Sequence, residues 1–141
     1  MEREEAFEVL EHPADVGFRA FGETLAELFE NSALALLSIR AEMDRVEARE
    51  EYAVEAEATD LEALLVNWLN EILYLVDARA IALRRVRVDA IEDTHVRSTG
   101  IGEPFDSSRH RLRVIVKAVT WHQLKIVHTN ESWVAEVFLD V

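Results

Sequence analysis

Cysteine is absent from this chain of 141 residues, which excludes disulfides, thiolate metal sites and a cysteine nucleophile. Proline (2) and glycine (4) are too scarce for a flexible linker, and no repeat or low-complexity tract is evident. One domain over residues 1–141 is therefore expected. Long apolar runs are missing as well, since nothing approaches the roughly 20 residues that span a bilayer. The opening Met1-Glu2-Arg3-Glu4-Glu5 lacks the basic-then-apolar order of a signal peptide, so the expectation is a cytoplasmic protein without membrane association. Positive charge is short too. The chain has 15 Lys+Arg against 28 Asp+Glu and a formal net charge of −13, and 17 of the acids fall in residues 1–60. Such a polyanion repels phosphate backbones, so direct tight binding to nucleic acid is not expected. The charge suits a basic partner protein or bound cations, or serves solubility alone. What the chain does have is apolar surface: 50% of its residues are hydrophobic, enough to offset the conformational entropy of folding.

The periodicities predict an α+β domain, with two main helices packed on one face of largely antiparallel sheet. Phe7–Leu10 and Gly17–Phe21 are short strands. Glu11–Val16 reads as the connection between them, because Pro13 disfavours helix at His12. Thr24-Leu25-Ala26-Glu27 is a capping box that opens a helix to about Ile39. Glu47–Thr59 alternates as a strand with one wet face. Asp60 caps a second helix, whose stripe of Leu61, Leu64, Leu65, Trp68, Leu69, Ile72 and Leu75 marks core. Strands Ile81–Val88 and Thr94–Ile101 follow, then a glycine-marked connection over Gly100–Asp106. Leu112–Val119, Leu124–Val127 and Trp133–Val141 complete the sheet, which pins the C-terminus.

The usual catalytic signatures are missing: no phosphate loop, GxGxxG, GxSxG or HExxH, so no catalytic residue is assigned. His122 and His128 could share a strand face, a weak signal for zinc. Asp15 lies in a short connection beside Gly17. Asp140 is penultimate, next to the α-carboxylate of Val141. Together they are hard oxygen donors suited to Ca²⁺, Mg²⁺ or Mn²⁺, although spacing alone does not say that they meet. Lys117, within Val114–Val119, is either an edge or outward-facing strand residue or a cation positioned against those carboxylates or a partner's anionic group. Arg109, Arg111 and Arg113 alternate and would form one basic stripe on a strand, by default a solvated face.

Several segments, in order, resemble the archease family. His12-Pro13-Ala14-Asp15-Val16-Gly17 is similar to its H-x-A-D-x-G motif, and Asp60-Leu61 through Trp68-Leu69-Asn70-Glu71 to its D-L-x-x-L-L-x-x-W-L-x-E run. Gly102-Glu103-Pro104-Phe105-Asp106, His110 and Val116-Lys117-Ala118-Val119-Thr120-Trp121-His122 resemble its G-E-x-[FY]-D…H…V-K-A-V-T-[YW]-H block. Asp140-Val141 resembles its closing D-[VI]. The resemblance covers nearly the whole chain. It implies an accessory protein, not an enzyme, acting on the RtcB-type tRNA-splicing ligase. That ligase uses GTP and Mn²⁺ and passes through a guanylated histidine; the archease promotes guanylylation and multiple turnover. The resemblance also implies a divalent cation, with Ca²⁺ the expected occupant of a crystal, at Asp15, Asp140 and Val141. It gives Lys117, His12 and His122 as partner or activation residues. Two positions depart from the pattern: Ile115 stands where an acid is common, and Gln123 where Asp, Glu or Gly is common. A stand-alone metal-dependent phosphoester hydrolase, with His12 or His122 as acid/base, and a chaperone-like scaffolding module are the rival expectations.

Overall fold

A computed structural model describes residues 5–12 and 15–141; the side chains at 11, 12 and 15 lie outside that description. In chain order the elements are β1 (Phe7–His12), β2 (Asp15–Gly22), α1 (Leu25–Arg40), β3 (Glu50–Glu57), α2 (Leu61–Asp77), β4 (Ile81–Glu92), β5 (His95–Pro104), β6 (Ala118–Val119), β7 (Lys125–His128) and β8 (Trp133–Asp140). They form two antiparallel sheets. One has the order β1-β2-β8-β6, with β7 also paired to β8; the other is β3-β5-β4. The expected α+β architecture with two helices is what the chain adopts.

Both helices start where the capping residues place them. Thr24 Oγ1 accepts the Glu27 amide at 3.1 Å, and Asp60 Oδ1 accepts the Ala63 amide at 2.8 Å. Each helix touches both sheets: α1 packs on β2 and β4, and α2 on β3 and β6. That explains why α2 is buried well beyond its leucine stripe, including Ala63, Val66, Leu73 and Val76. Trp68 is fully buried at the centre, its ring 5.3 Å from that of Phe29. Its indole N–H donates to Ser98 Oγ at 2.8 Å, and the Ser98 hydroxyl donates in turn to the Val54 carbonyl at 2.7 Å. The indole's one polar atom is therefore satisfied. Arg40, 8% exposed, ends α1 by bonding Asp77 and the Val76 carbonyl, which ties the C-terminal ends of the two helices together.

Several boundaries differ from the sequence expectation. β1 and β2 continue to His12 and Asp15, so the connection shrinks to residues 13–14. Gly100 and Gly102 lie inside β5, not in a connection. A Cβ on Gly102 would collide with the Ala82 carbonyl, so glycine serves close strand approach beside the irregularity at Leu83/Arg85. Leu112–Val119 is not one strand. Its inward residues Val114 and Val116 do alternate with exposed Ile115 and Lys117, but the neighbour of this segment is the end of α1. Arg113 donates to the Arg40 carbonyl at 2.8 Å, and Leu112 bridges Ala41, so only Ala118–Val119 finds a strand partner. The basic stripe fails for the same reason. Arg109 sits in a turn bonded to Glu103 and Asp106, and Arg113 reaches the Ser38 carbonyl.

One local conformation carries a measurable cost. Gln123 has φ 53° in the turn closed by the Leu124 N–H donating to the Trp121 carbonyl. The left-handed region costs a side-chain-bearing residue roughly 1–2 kcal/mol, whereas glycine enters it freely but loses more entropy on folding. Gln123→Gly is thus expected to raise the unfolding free energy by about 0.5–1 kcal/mol, read from urea denaturation. An unchanged or lower midpoint would contradict the strain.

Candidate functional site

β8 runs between β2 and β6, and its C-terminal end is where the expected site residues gather. Val16 pairs with Leu139 and Ala118 with Asp140, while His12 pairs with Asp15 across β1 and β2. The β2–β8 pairing ends at Val16↔Leu139, so Asp15 and Asp140 are the next residues on the two adjacent strands. The pairs His12–Asp15 and Ala118–Asp140 thus form a row at one end of four neighbouring strands, with the Cα atoms of each pair about 4.5–5.5 Å apart. Lys117 closes the other flank, its amide donating to the Asp140 carbonyl at 2.7 Å. Asp140 and Lys117 are exposed, and Val141 is 42% exposed. His122 lies in the turn that follows β6. Its ring stands edge-on to Phe138 at 6.0 Å and its amide donates to Thr120 Oγ1 at 3.2 Å. His128 is elsewhere, stacked flat on Trp133 at 3.7 Å, so the two histidines do not combine into the zinc pair considered above.

The row is rigidly backed. A Cβ on Gly17 would strike the Val137 carbonyl and lie 2.8 Å from the Phe138 ring, so the motif glycine lets β2 close onto β8. Thr120 donates twice to the Phe138 carbonyl, from its amide at 3.1 Å and its hydroxyl at 3.2 Å. On the outer edge of β6, Asn70 of α2 accepts the Val119 amide at 2.9 Å and donates to the Val119 carbonyl at 3.1 Å. The apolar stripe of α2 gives no hint of this role for Asn70. The available signal was a poor helix former inside a leucine-rich helix.

Chemically, the row offers carboxylate oxygens, the donors that hard divalent cations prefer. Asp15, Asp140 and the Val141 carboxylate fit such an ion by donor type and by backbone proximity. Among the described residues, which exclude the Asp15 side chain, no group of three His, Cys, Asp or Glu is assembled for a metal.

A second polar centre lies at the end of β5. Glu103, 1% exposed, accepts from Arg109 at 2.7 Å, the Glu47 amide at 2.9 Å and His110 Nε2 at 2.9 Å. His110 Nδ1 accepts the Asp106 amide at 2.9 Å, which leaves Nε2 as the donor to Glu103. The Arg109 hydrogen bond first, then the Glu47 amide, hold the Glu103 carboxyl down at about 2 against burial, which acts in the opposite direction. Asp106 is lowered as well, mainly by Ser108. This centre fastens the turn from which residues 111–117 cross to Asp140. A carboxylate depressed in the folded state stabilises above its ordinary pKa, and that contribution disappears as pH falls through the folded value. The melting temperature should therefore fall as pH is lowered from about 4.5 to about 2. Glu103→Gln should be less stable at neutral pH and show a shallower acid slope. An acid slope equal to wild type would remove Glu103 as its origin.

Among the described residues, no helix is long and apolar enough to cross a membrane. The model of the archease protein family matches residues 7–141. Curated relatives called "Protein archease" include one from Methanosarcina acetivorans, 36% identical, covering 96% of this chain and 95% of its own. Another, from Pyrococcus furiosus, is 35% identical and covers 96% and 98%. The solution structure of Methanobacterium thermoautotrophicum protein 1598 superposes with a TM-score of 0.80 at 36% identity, covering 96% of this chain and 99% of that one. A crystal structure described as an archease, possible chaperone, from Thermotoga maritima shares the fold at 20% identity and a TM-score of 0.63, covering 100% and 98%. Matched by the family model over residues 7–141 and by relatives 35–36% identical along 96% of its length, this chain belongs to the archease protein family.

Proposed function

We propose that this chain is an accessory protein of RNA ligation, raising guanylylation and turnover of an RtcB-type tRNA-splicing ligase through the carboxylate row at the end of β8. What supports this reading is that the β2–β8 pairing runs to Val16↔Leu139, which leaves Asp15 and Asp140 as the next residues of adjacent strands, with the Lys117 amide bonded to the Asp140 carbonyl. An exposed anionic strand end can approach a cleft built for metal and nucleotide, where a pocket-bound carboxylate could not. Asp15, Asp140 and Val141 would hold a Ca²⁺, Mg²⁺ or Mn²⁺ ion, which when bound neutralises their mutual repulsion. The chain's own part is to bind the ligase, orient these oxygens and present Lys117, His12 and His122 around them. A preference for the guanylylation-competent ligase conformation of about 1–3 kcal/mol corresponds to roughly a 5- to 150-fold stimulation. The net charge of −13 favours approach to a basic surface, so association should weaken with salt. The test is ligase guanylylation and RNA joining at limiting ligase, with and without this protein. Multiple turnovers only in its presence support the reading; equal turnover in both refutes it, and RNA or nucleotide hydrolysis by the protein alone would favour a hydrolase instead.

A further inference from the structure

We infer that Asn70 is a positioning residue for the carboxylate row, acting from α2 as a substitute strand that fixes β6 and through it the end of β8. This rests on the reading of that end as the working surface. β6 is two residues long and pairs with β8 only at Ala118↔Asp140 and Val119↔Leu139. So short a ladder has little cooperativity of its own, and the amide and carbonyl of Val119 point away from β8. Asn70 meets both, at 2.9 and 3.1 Å, with the same donor-acceptor pair that a neighbouring strand would offer. Its helix is anchored by the buried Trp68 and Leu69 beside it in sequence. Two residues before the clamped Val119, the Lys117 amide donates to the Asp140 carbonyl, and one residue after it the Thr120 amide donates to the Phe138 carbonyl. Release of Val119 therefore frees both backbone ties that flank Leu139 and Asp140, and with them the spacing of Lys117 from the terminal carboxylates.

α2 supplies its own control. Asn67, three residues earlier, donates to the Glu57 carbonyl at 3.0 Å, a comparable side-chain tie to the other sheet. If Asn70 were only a stabilising contact, Asn67→Ala and Asn70→Ala would differ by little beyond their melting temperatures. As a positioning residue, Asn70→Ala should accelerate amide hydrogen exchange at Lys117, Val119 and Thr120 by about tenfold or more, and Asn67→Ala should not. In the ligase assay, Asn70→Ala should lower maximal stimulation by about tenfold while the half-saturating concentration moves less than about threefold, because docking survives and alignment does not. Asn67→Ala should keep wild-type stimulation. Asp140→Ala run in parallel separates the two claims: normal stimulation by that variant overturns the function assigned to the row, while the exchange rates still judge the clamp. Wild-type exchange at Lys117 and Thr120 in Asn70→Ala, or equal losses of stimulation in both asparagine variants, overturns the inference.

Discussion

Asp140→Ala should abolish most of the stimulation of an RtcB-type ligase, a fall of about tenfold or more in multiple-turnover RNA joining, while leaving the fold intact. The Asp140 side chain is exposed, and the structural tie at this residue is its backbone carbonyl, which alanine retains. Substitution of such a surface group ordinarily changes stability by no more than about 0.5 kcal/mol. Loss of activity without loss of melting temperature would thus assign the carboxylate to function. Fusing residues after Val141 should act in the same direction, since it moves the terminal carboxylate away from Asp140 and buries the row under added chain. Undiminished stimulation by both variants would remove the carboxylates from the mechanism.

The largest stability effect is expected at Trp68. Trp68→Ala deletes a fully buried indole that contacts α1 through Phe29 and the second sheet through Ser98. Large-to-small changes of this kind cost about 3–5 kcal/mol, because the lost transfer energy is joined by that of an unfilled cavity. Trp68→Phe keeps most of the volume but leaves Ser98 Oγ without its donor, a smaller loss of about 1–3 kcal/mol. Chemical denaturation of the two variants measures both. A Trp68→Ala loss below that of Trp68→Phe would contradict the central packing role.

Local signals in the sequence placed the two helices well, because capping and periodicity are written in neighbouring residues: Thr24 and Asp60 do cap, and the α2 stripe is core. The long strands were equally legible where one face is wet, as in Glu50–Glu57 with Val54 and Ala56 inward. Errors arose where the partner of an extended segment is not a strand. Residues 112–117 alternate as a strand would, yet they lie along the end of α1, and no local pattern encodes which neighbour an extended chain will find. Glycine misled for a related reason. At Gly100 and Gly102 it marks close approach by β4 and not a turn, a fact held by Ala82 and Leu83 some twenty residues earlier. The candidate site was legible only through the family pattern. Nothing local links Asp15 to Asp140 across the length of the chain; the β2–β8 pairing, which runs to Val16↔Leu139, makes their strands neighbours, and its register is set by the inward residues Phe18, Ala20, Ala135 and Val137. Asn70 escaped notice because its partner is a backbone amide 49 residues away.

Taken as one unit, Asp15 and Asp140 should behave non-additively, since removing either disables a shared row. The most direct measurement is a double-mutant cycle on ligase stimulation, comparing Asp15→Ala, Asp140→Ala and the pair. The row predicts that each single variant loses about tenfold or more and that the double loses no more than the worse single. Independent, multiplying losses, or wild-type stimulation by Asp15→Ala, would contradict the claim that the two ends of the chain build one working surface.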